Sequence, residues 1–377
     1  MLTIIHSCPP EKHAHCATIE CVKTDDIRTS GTYIAYYVGS ECTDKQKVRI
    51  DFHRNEKNNH ELRATTDLPY RTGNCLLLSN QNKVYIIYSV FEDIDEQGNT
   101  PKTPVQRWAY CSNWIREITL TDTIELTKPK KLNLEPGHLV RCQAIQHINI
   151  TRMITYAIPL YREHDCYGLI MGMGMGSGLI ELGKIGKSKD ESKTRFGKGK
   201  LIQPTLWNDQ NGRLHSLSRN ITPKPYAWYS YSDTNGTYWT EPEQVNVDNA
   251  NNSLVTINQN TKNPILIWNL GHDRHRLVLG RYDTDTKTAT PYLQLNIDTD
   301  MAGTGSYPNY AIDHLNRLHI VFTTNRRAIT RIIIEENDLK TIEEKAKTLG
   351  KILTYNDLDM PESHQHASYQ HAMQRRK

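Results

Sequence analysis

The chain has 377 residues, with 46 Lys and Arg against 42 Asp and Glu, a formal net charge of +4. So small and dispersed a balance argues against a nucleic-acid surface, and no stretch approaches the roughly 20 apolar residues of a membrane span. The start, MLTIIHSCPPEKH, lacks the basic-then-apolar pattern of a secretory leader, so the expected setting is soluble and cytoplasmic.

The length suits one large all-β domain or two ordinary ones. The eight cysteines (Cys8, Cys16, Cys21, Cys42, Cys75, Cys111, Cys142, Cys166) form no CxxC pair. A zinc ribbon or redox motif is therefore not expected, and the thiols read as reduced, half-buried and structural. Nothing calls for a metal or cofactor. Twenty tyrosines against four phenylalanines suit sheet faces that are half wet.

Taken in order, the chain shows polar turns that each introduce a short β-branched or aromatic run. Thr29-Ser30-Gly31 precedes TYIAYYVG, Asn80 to Lys83 precede VYIIYSV, and Asn149 to Arg152 precede MITYAIPLY. Asn211-Gly212-Arg213 then precedes LHSLSR, Asn260 to Pro264 precede ILIWN, and Leu315-Asn316-Arg317 precedes LHIVFT. GLIMGMGMGSG (Gly168 to Gly178) reads either as a strand lining the channel or as a flexible loop, and its alternation favours the strand. Six units spaced roughly 50 to 70 residues apart, each holding about four strands, predict a six-bladed β-propeller. A sandwich or jelly roll would also show turns before alternating strands; the regular spacing and the hairpin tail favour the propeller.

That tail is clearest at Ser232-Asp233-Thr234-Asn235-Gly236-Thr237-Tyr238-Trp239. A Ser-x-Asp-x-Gly-x-x-Trp turn bonds to itself and sends its Trp between blades. Here Thr234 occupies the Asp slot, and Asp233 is displaced by one place. A more decayed version runs from Tyr282 to Thr288. These residues make hairpins rather than chemistry.

From Asn337 the spacing of Leu339, Ile342, Ala346, Leu349 and Leu353 predicts a short helix. The end is polar, and its His364, His366 and His371 read as a stray tail rather than a metal site. The expected organisation is an all-β propeller over residues 1–345, then a helical and mobile tail over 346–377.

Several segments together resemble the sialidase (neuraminidase) superfamily, in its branch with degenerate Asp-box (BNR) repeats. They are HAHCATI from His13, PGHLVR from Pro136, LIQPTL from Leu201, Leu214 to Arg219, and Ser232 to Trp239. Asn251-Asn252-Ser253, Arg274-His275-Arg276-Leu277, Ser306-Tyr307-Pro308 and Asn325-Arg326-Arg327-Ala328-Ile329 follow. The resemblance covers roughly His13 to Leu339 and implies a propeller with its site at the central mouth. The family's substrate carries a carboxylate beside the anomeric carbon, which guanidinium groups grip. Its nucleophile is a tyrosine, the exception to the two-carboxylate rule, activated by a glutamate while an aspartate acts as general acid.

Carried over by position, Arg219 and Arg274 correspond to two carboxylate-binding arginines, and Tyr307 stands in the register of the nucleophile. Asp44 is the nearest general acid, with Glu41 and Asp51 as rivals, and Asn252 joins the substrate-binding set. The chain departs from the pattern twice. His13-Ala14-His15 stands where an arginine belongs, and Gln203 where the activating glutamate belongs. Gln203 cannot accept a phenolic proton.

Three functions remain open. The first is a glycosidase acting on an acidic carbohydrate or glycoconjugate, with Tyr307, Asp44 and His15 catalytic and Arg219, Arg274, Gln203, His13 and Asn252 binding. The second is β-elimination on a uronic acid, with a histidine (His13, His15, His138 or His215) or Tyr307 abstracting the proton. The third is a non-catalytic propeller that binds a glycan or a protein.

Overall fold

The computed structural model describes residues 2–7, 9–11, 13–23, 30–56, 59–80, 83–92, 104–149, 154–162, 167–174, 179–185, 201–221, 226–249, 252–257, 260–271, 273–296 and 304–358. Within them the strands form six antiparallel blades around one axis. Blade 1 is Ala14–Val22, Gly31–Val38, Lys47–Glu56 and Asn59–Asp67. Blade 2 begins at Thr72–Asn80, continues through Lys83–Phe91 and Cys111–Leu120, and ends at Lys130–Lys131. In blade 3 the inner strand is split into His138–Val140 and Ile145–Asn149, both paired to Ile154–Arg162, followed by Tyr167–Gly174 and Leu179–Ile185.

Blade 4 is Leu201–Asn208, Leu214–Asn220, Tyr226–Ser232 and Glu243–Asp248, and blade 5 is Val255–Ile257, Ile265–Asn269, Leu277–Asp283 and Thr288–Gln294. A single parallel pairing, Asn246 with Thr288, joins these two sheets at their outer edges. Blade 6 is Gly305–Ile312, Leu318–Thr324 and Ala328–Ile334. Its outermost strand is the N-terminal Leu2–Ser7, in register from Leu2↔Ile334 to Ser7↔Ile329. Closing the last blade with the first strand leaves the ring no free seam.

The six alternating runs read from the sequence are the second strands of the six blades. Their faces are both buried, because each packs against a neighbouring blade on either side. The apolar clusters accordingly sit at the seams: Tyr33, Val48 and Phe52 with Leu77, Ile86 and Tyr88 between blades 1 and 2, and Trp207, Leu217 and Tyr229 with Leu266, Trp268 and Tyr282 between blades 4 and 5. Ring closure between blades 6 and 1 rests on Ile19, Ile34 and Tyr36 against Val321 and Ile329, and on Arg331 Nη2 donating to Thr32 Oγ1 at 3.0 Å.

The Asp-box-like turn is structural. Ser232 Oγ accepts from the backbone N of Thr234 (3.2 Å) and of Gly236 (3.0 Å). The Thr234 hydroxyl takes the aspartate's part, accepting from Tyr238 N at 2.8 Å. Gly236 holds φ 83°, which only glycine adopts without strain. Trp239 donates its indole N–H to Gly236 O (2.9 Å) and packs on the cluster between blades 3 and 4. The displaced Asp233 pairs with Arg213 at 2.6 Å.

The C-terminal helix spans Glu336–Leu349 and stops at Gly350 in the left-handed region. Ile342 and Ala346, with Leu353 and Tyr355 beyond them, are buried in the cluster that also holds Tyr292 and Leu293 of blade 5. A two-pronged ion pair, Arg281 with Glu343 at 2.6 and 3.0 Å, holds the helix to the blade. The boundary expected at residue 345 therefore falls inside a helix that packs as part of blade 5. The polar end from residue 359, with His364, His366 and His371, lies outside the described residues, as do Cys8 and Cys166.

Other expectations change in detail. Five of the six described free cysteines are fully rather than half buried, and Cys21 is intermediate. The glycine-methionine run is a strand over Tyr167–Gly174, but it is the third of its blade and does not line the channel. Among the described residues no helix is long and apolar enough to cross a membrane, and no three His, Cys, Asp or Glu side chains gather as for a metal ion.

Candidate active site

The inner strands are interrupted at matching places. Register shifts fall between His15 and Thr18, Gly73 and Cys75, Ile202 and Thr205, and Ser306 and Asn309. Within them Cys16, Gln203 and Tyr307 adopt φ of 54°, 52° and 53°. A bulge re-aims its side chain, and a non-glycine residue in this region costs on the order of 1–3 kcal/mol unless its surroundings hold it. Gln203 and Tyr307 each precede a proline, whose missing N–H leaves no orphaned donor in the broken ladder.

Tyr307 is held from all sides. Its backbone N donates to Asn252 Oδ1 at 3.2 Å. Arg141 Nη2 donates to the carbonyls of Tyr307 and Pro308, the latter at 3.1 Å, and Nη1 donates to Ala17 O at 3.1 Å. The phenol ring lies 5.0 Å from the Arg274 guanidinium and 5.3 Å from that of Arg141. His15 meets it edge-on at 4.6 Å.

Beside this ring opens a cleft of about 460 Å³ lined by Arg274, Thr304, Ser306, Asn325, Arg326 and Arg327. Three guanidinium groups stand in its lining, the side chains that pair most readily with carboxylates. Glu41 reaches its edge and pairs with Arg326 at 3.1 Å.

The two histidines differ. His15 is fully enclosed; Nδ1 meets Thr323 Oγ1 at 3.1 Å, and Nε2 has no hydrogen-bond partner among the described residues. Burial first, and then Arg326, Arg274 and Arg141, hold its pKa well below the usual histidine value. His13 is half-buried, stacks on Tyr37 at 6.5 Å, and is shifted the same way by burial and then by Arg326. Both imidazoles are neutral at neutral pH.

The expected site residues fall into three places. His13, His15, Arg274, Asn252 and Tyr307 meet where blades 1, 5 and 6 converge. Asn252 does not face the cleft: it is fully buried and also bonds Asn269 through Nδ2 at 2.5 Å, so it positions the Tyr307 backbone rather than substrate. Gln203 and Arg219 form a second, buried group on blade 4, where Gln203 O accepts from Cys142 Sγ at 3.6 Å, next to Arg141. Arg219 Nη1 donates to Gln203 Oε1 (3.0 Å), Gln203 Nε2 donates to the Tyr161 hydroxyl (3.2 Å), and Asn74 Nδ2 donates to the same hydroxyl (3.0 Å).

Asp44 stands on an exposed loop against Arg107 (3.0 Å) and Arg71 (3.4 Å). Asp51 is buried inside blade 1, accepting from Tyr36 and Thr65, each at 2.7 Å. Of the three acids weighed, Glu41 is the one beside the guanidinium cleft. His138 and His215 are buried, and His215 sits 3.3 Å from Asp209 as part of a turn.

Sequence reasoning passed over Arg141, which holds the Tyr307 and Pro308 carbonyls, and Arg326, which lines the cleft, although both lie in segments that carry the family resemblance. A usable signal was the X-Pro step repeated on two inner strands, at Gln203-Pro204 and Tyr307-Pro308, since proline inside a central strand marks a bulge.

A family model described as a BNR repeat-like domain matches residues 31–320. Among solved structures, a protein of unknown function from Dyadobacter fermentans is similar at a TM-score of 0.62 and 11% identity, over 89% of this chain and 98% of that one. A Trypanosoma rangeli sialidase in complex with sialic acid is similar at 0.58 and 13%, over 92% of this chain and 59% of that one. A Hadza microbial sialidase is similar at 0.62 and 11%, over 86% and 66%. At such identities the likeness shows the fold alone, and the chain spans less than two thirds of either sialidase. No functionally curated protein matches the sequence.

Proposed function

For a chain that belongs to the BNR repeat-like domain family, we propose an enzyme that binds an acidic sugar by its carboxylate in the Arg274–Arg326 cleft and cleaves the adjoining glycosidic bond. The observation that supports it is Arg274, which lines that cleft and also lies 5.0 Å from the Tyr307 ring, with the neutral His15 edge-on to the same ring at 4.6 Å. A sialidase of the same fold holds sialic acid, itself an acidic sugar.

The chemistry best suited to these groups is β-elimination on a uronic acid. Arg274 and Arg326 neutralise the carboxylate and so acidify the C5 hydrogen. The half-exposed His13 takes that proton as a neutral base. The C5–H electron pair becomes the C4=C5 double bond, the C4–O bond breaks, and the leaving oxygen takes a proton from the Tyr307 hydroxyl. Exchange with water restores both groups. His15, enclosed behind the ring, keeps Tyr307 in place. Hydrolysis remains as a second reading because Glu41, paired with Arg326 of the cleft at 3.1 Å, brings a carboxyl close to it. Against it, Gln203 is no base, and among the described residues no carboxylate is hydrogen-bonded to the Tyr307 hydroxyl.

The test offers uronate oligosaccharides and a sialoside in parallel. Elimination produces an unsaturated uronate that absorbs in the ultraviolet, whereas hydrolysis releases free sialic acid. Failure to turn over or bind either, with the protein folded, overturns the reading of the cleft.

A further inference from the structure

The inner strands run from the guanidinium cleft to a second opening. His15 to Glu20, Gln203 to Asn208 and Tyr307 to Ile312 each advance five residues, roughly 16 Å along a strand. At that far end lies a cavity of about 790 Å³ to which all six blades contribute, a size within the range of ligand pockets. Among the described residues its lining carries no lysine or arginine; side-chain amides dominate, including Gln143, Asn208, Gln210 and Asn260. Tyr156 and the 40% exposed Ile312 add apolar surface.

One atom there lacks what its burial demands. Gln143 is 8% exposed, and its Nε2 donates to Glu20 Oε2 (3.0 Å) and to Leu77 O (3.4 Å). Both partners are acceptors, which fixes the orientation of the amide. Its Oε1 is then the remaining end, and it has no hydrogen-bond partner among the described residues. A buried acceptor left so costs on the order of 1–3 kcal/mol unless water or a ligand supplies a donor. Glu20 is also bound by Ser79 at 2.7 Å. Burial pushes its pKa up to about 7, so its carboxyl carries much less than a full charge at neutral pH. The other acid in the lining, Asp209, is committed to its own turn, accepting from Asn211 N and Arg213 N.

We propose that this far-end cavity is a second binding site, for a neutral saccharide whose hydroxyl donates to Gln143 Oε1. Amide side chains carry both N–H donors and a carbonyl acceptor, the complement of sugar hydroxyls, and Ile312 and Tyr156 suit the C–H faces of the ring. Among the described lining residues an anionic sugar finds no cation. The site stands whether or not the first cleft is catalytic.

Calorimetric titration of the full chain tests it, with cellotriose and maltotriose as neutral probes, trigalacturonate as the acidic one and spermidine as the cationic one. At least one neutral trisaccharide binds saturably. Its affinity falls about tenfold in Gln143→Leu, equivalent to about 1.4 kcal/mol, and also in Gln210→Trp, which crowds the mouth from an exposed turn and leaves the core untouched. Thermal melts confirm that both variants are folded. The proposal is overturned if no neutral probe binds, or if spermidine alone does. It is equally overturned if neutral-sugar affinity falls in Arg326→Ala while Gln143→Leu and Gln210→Trp leave it unchanged.

Discussion

Where the inner strands begin, the open groups are guanidiniums, a phenol and neutral imidazoles; where they finish, five residues later, they are amides and a carboxyl with a raised pKa. The same strands build both ends, so blade architecture does not set the chemistry. The bulges do much of it at the first end, by turning residues such as Tyr307 out of the ladder. At the far end the strands enter tight turns, and much of the polarity is turn chemistry. Asp209 caps Asn211 N and Arg213 N, and Asp313 caps Leu315 N and Arg317 N in the same pattern. Each aspartate also meets a histidine six residues on, His215 at 3.3 Å and His319 at 3.0 Å.

The largest expected contrast between the ends is catalytic. Tyr307→Phe and His13→Ala should each lower kcat on uronate substrate by roughly 10²–10⁴-fold with little change in KM, whereas Gln143→Leu should leave kcat as it is. Steady-state kinetics decides, and equal losses at both ends would erase the contrast. Next comes Arg326→Ala, which removes a charged partner of the carboxylate. The expected loss in kcat/KM is about tenfold to a hundredfold, from about 1.5–3 kcal/mol for a hydrogen bond to a charged group.

The buried histidines and Glu20 give the molecule opposing pH slopes in stability. His15 is held well below its ordinary value, and so are His53 and His319, each at about 4 with burial the main cause. The unfolded chain then binds more protons than the folded one below about pH 6.5, so unfolding free energy falls as pH drops from there toward 4. Glu20 is raised from 4.5 to about 7, so the folded chain binds more protons between those values, and stability contributed there is lost as pH rises. Urea unfolding from pH 4 to 8 should show Glu20→Gln removing that counter-slope while leaving the acid limb. An unchanged profile would mean that the Glu20 carboxyl is solvated.

The smallest effect is expected from Gln203→Glu. A carboxylate 3.0 Å from Arg219 makes a buried ion pair whose attraction and desolvation nearly cancel, so stability should move by only about 1 kcal/mol. Elimination should be unaffected. The appearance of sialoside hydrolysis in this variant would transfer the first end to the second reading.

The hairpins, the six units and the structural nature of the Ser232–Trp239 turn were legible because each depends on residues close in sequence. Ser232 reaches Gly236 four residues away, and alternation within a strand needs only its own neighbours. The site was legible in part. Tyr307 and Arg274 stood out as chemistry-bearing types at suggestive registers, but Asn252 and Gln203 looked like substrate ligands because nothing local shows that a polar side chain is buried. Asp44 and Glu41 are three residues apart on one loop, and only Arg326, 285 residues from Glu41, tells which of them faces the cleft.

The sequence by itself determined the strand periodicity, the turn chemistry and the number of blades, all products of local backbone preference and alternating hydrophobicity. Only the tertiary structure decided which polar groups share a cavity. His15 meets Thr323 across 308 residues and Arg141 meets Pro308 across 167, because ring closure brings distant inner strands onto one axis. The same closure gave two ends of one channel different electrostatics, since each guanidinium or amide takes its meaning from neighbours that arrive from other blades.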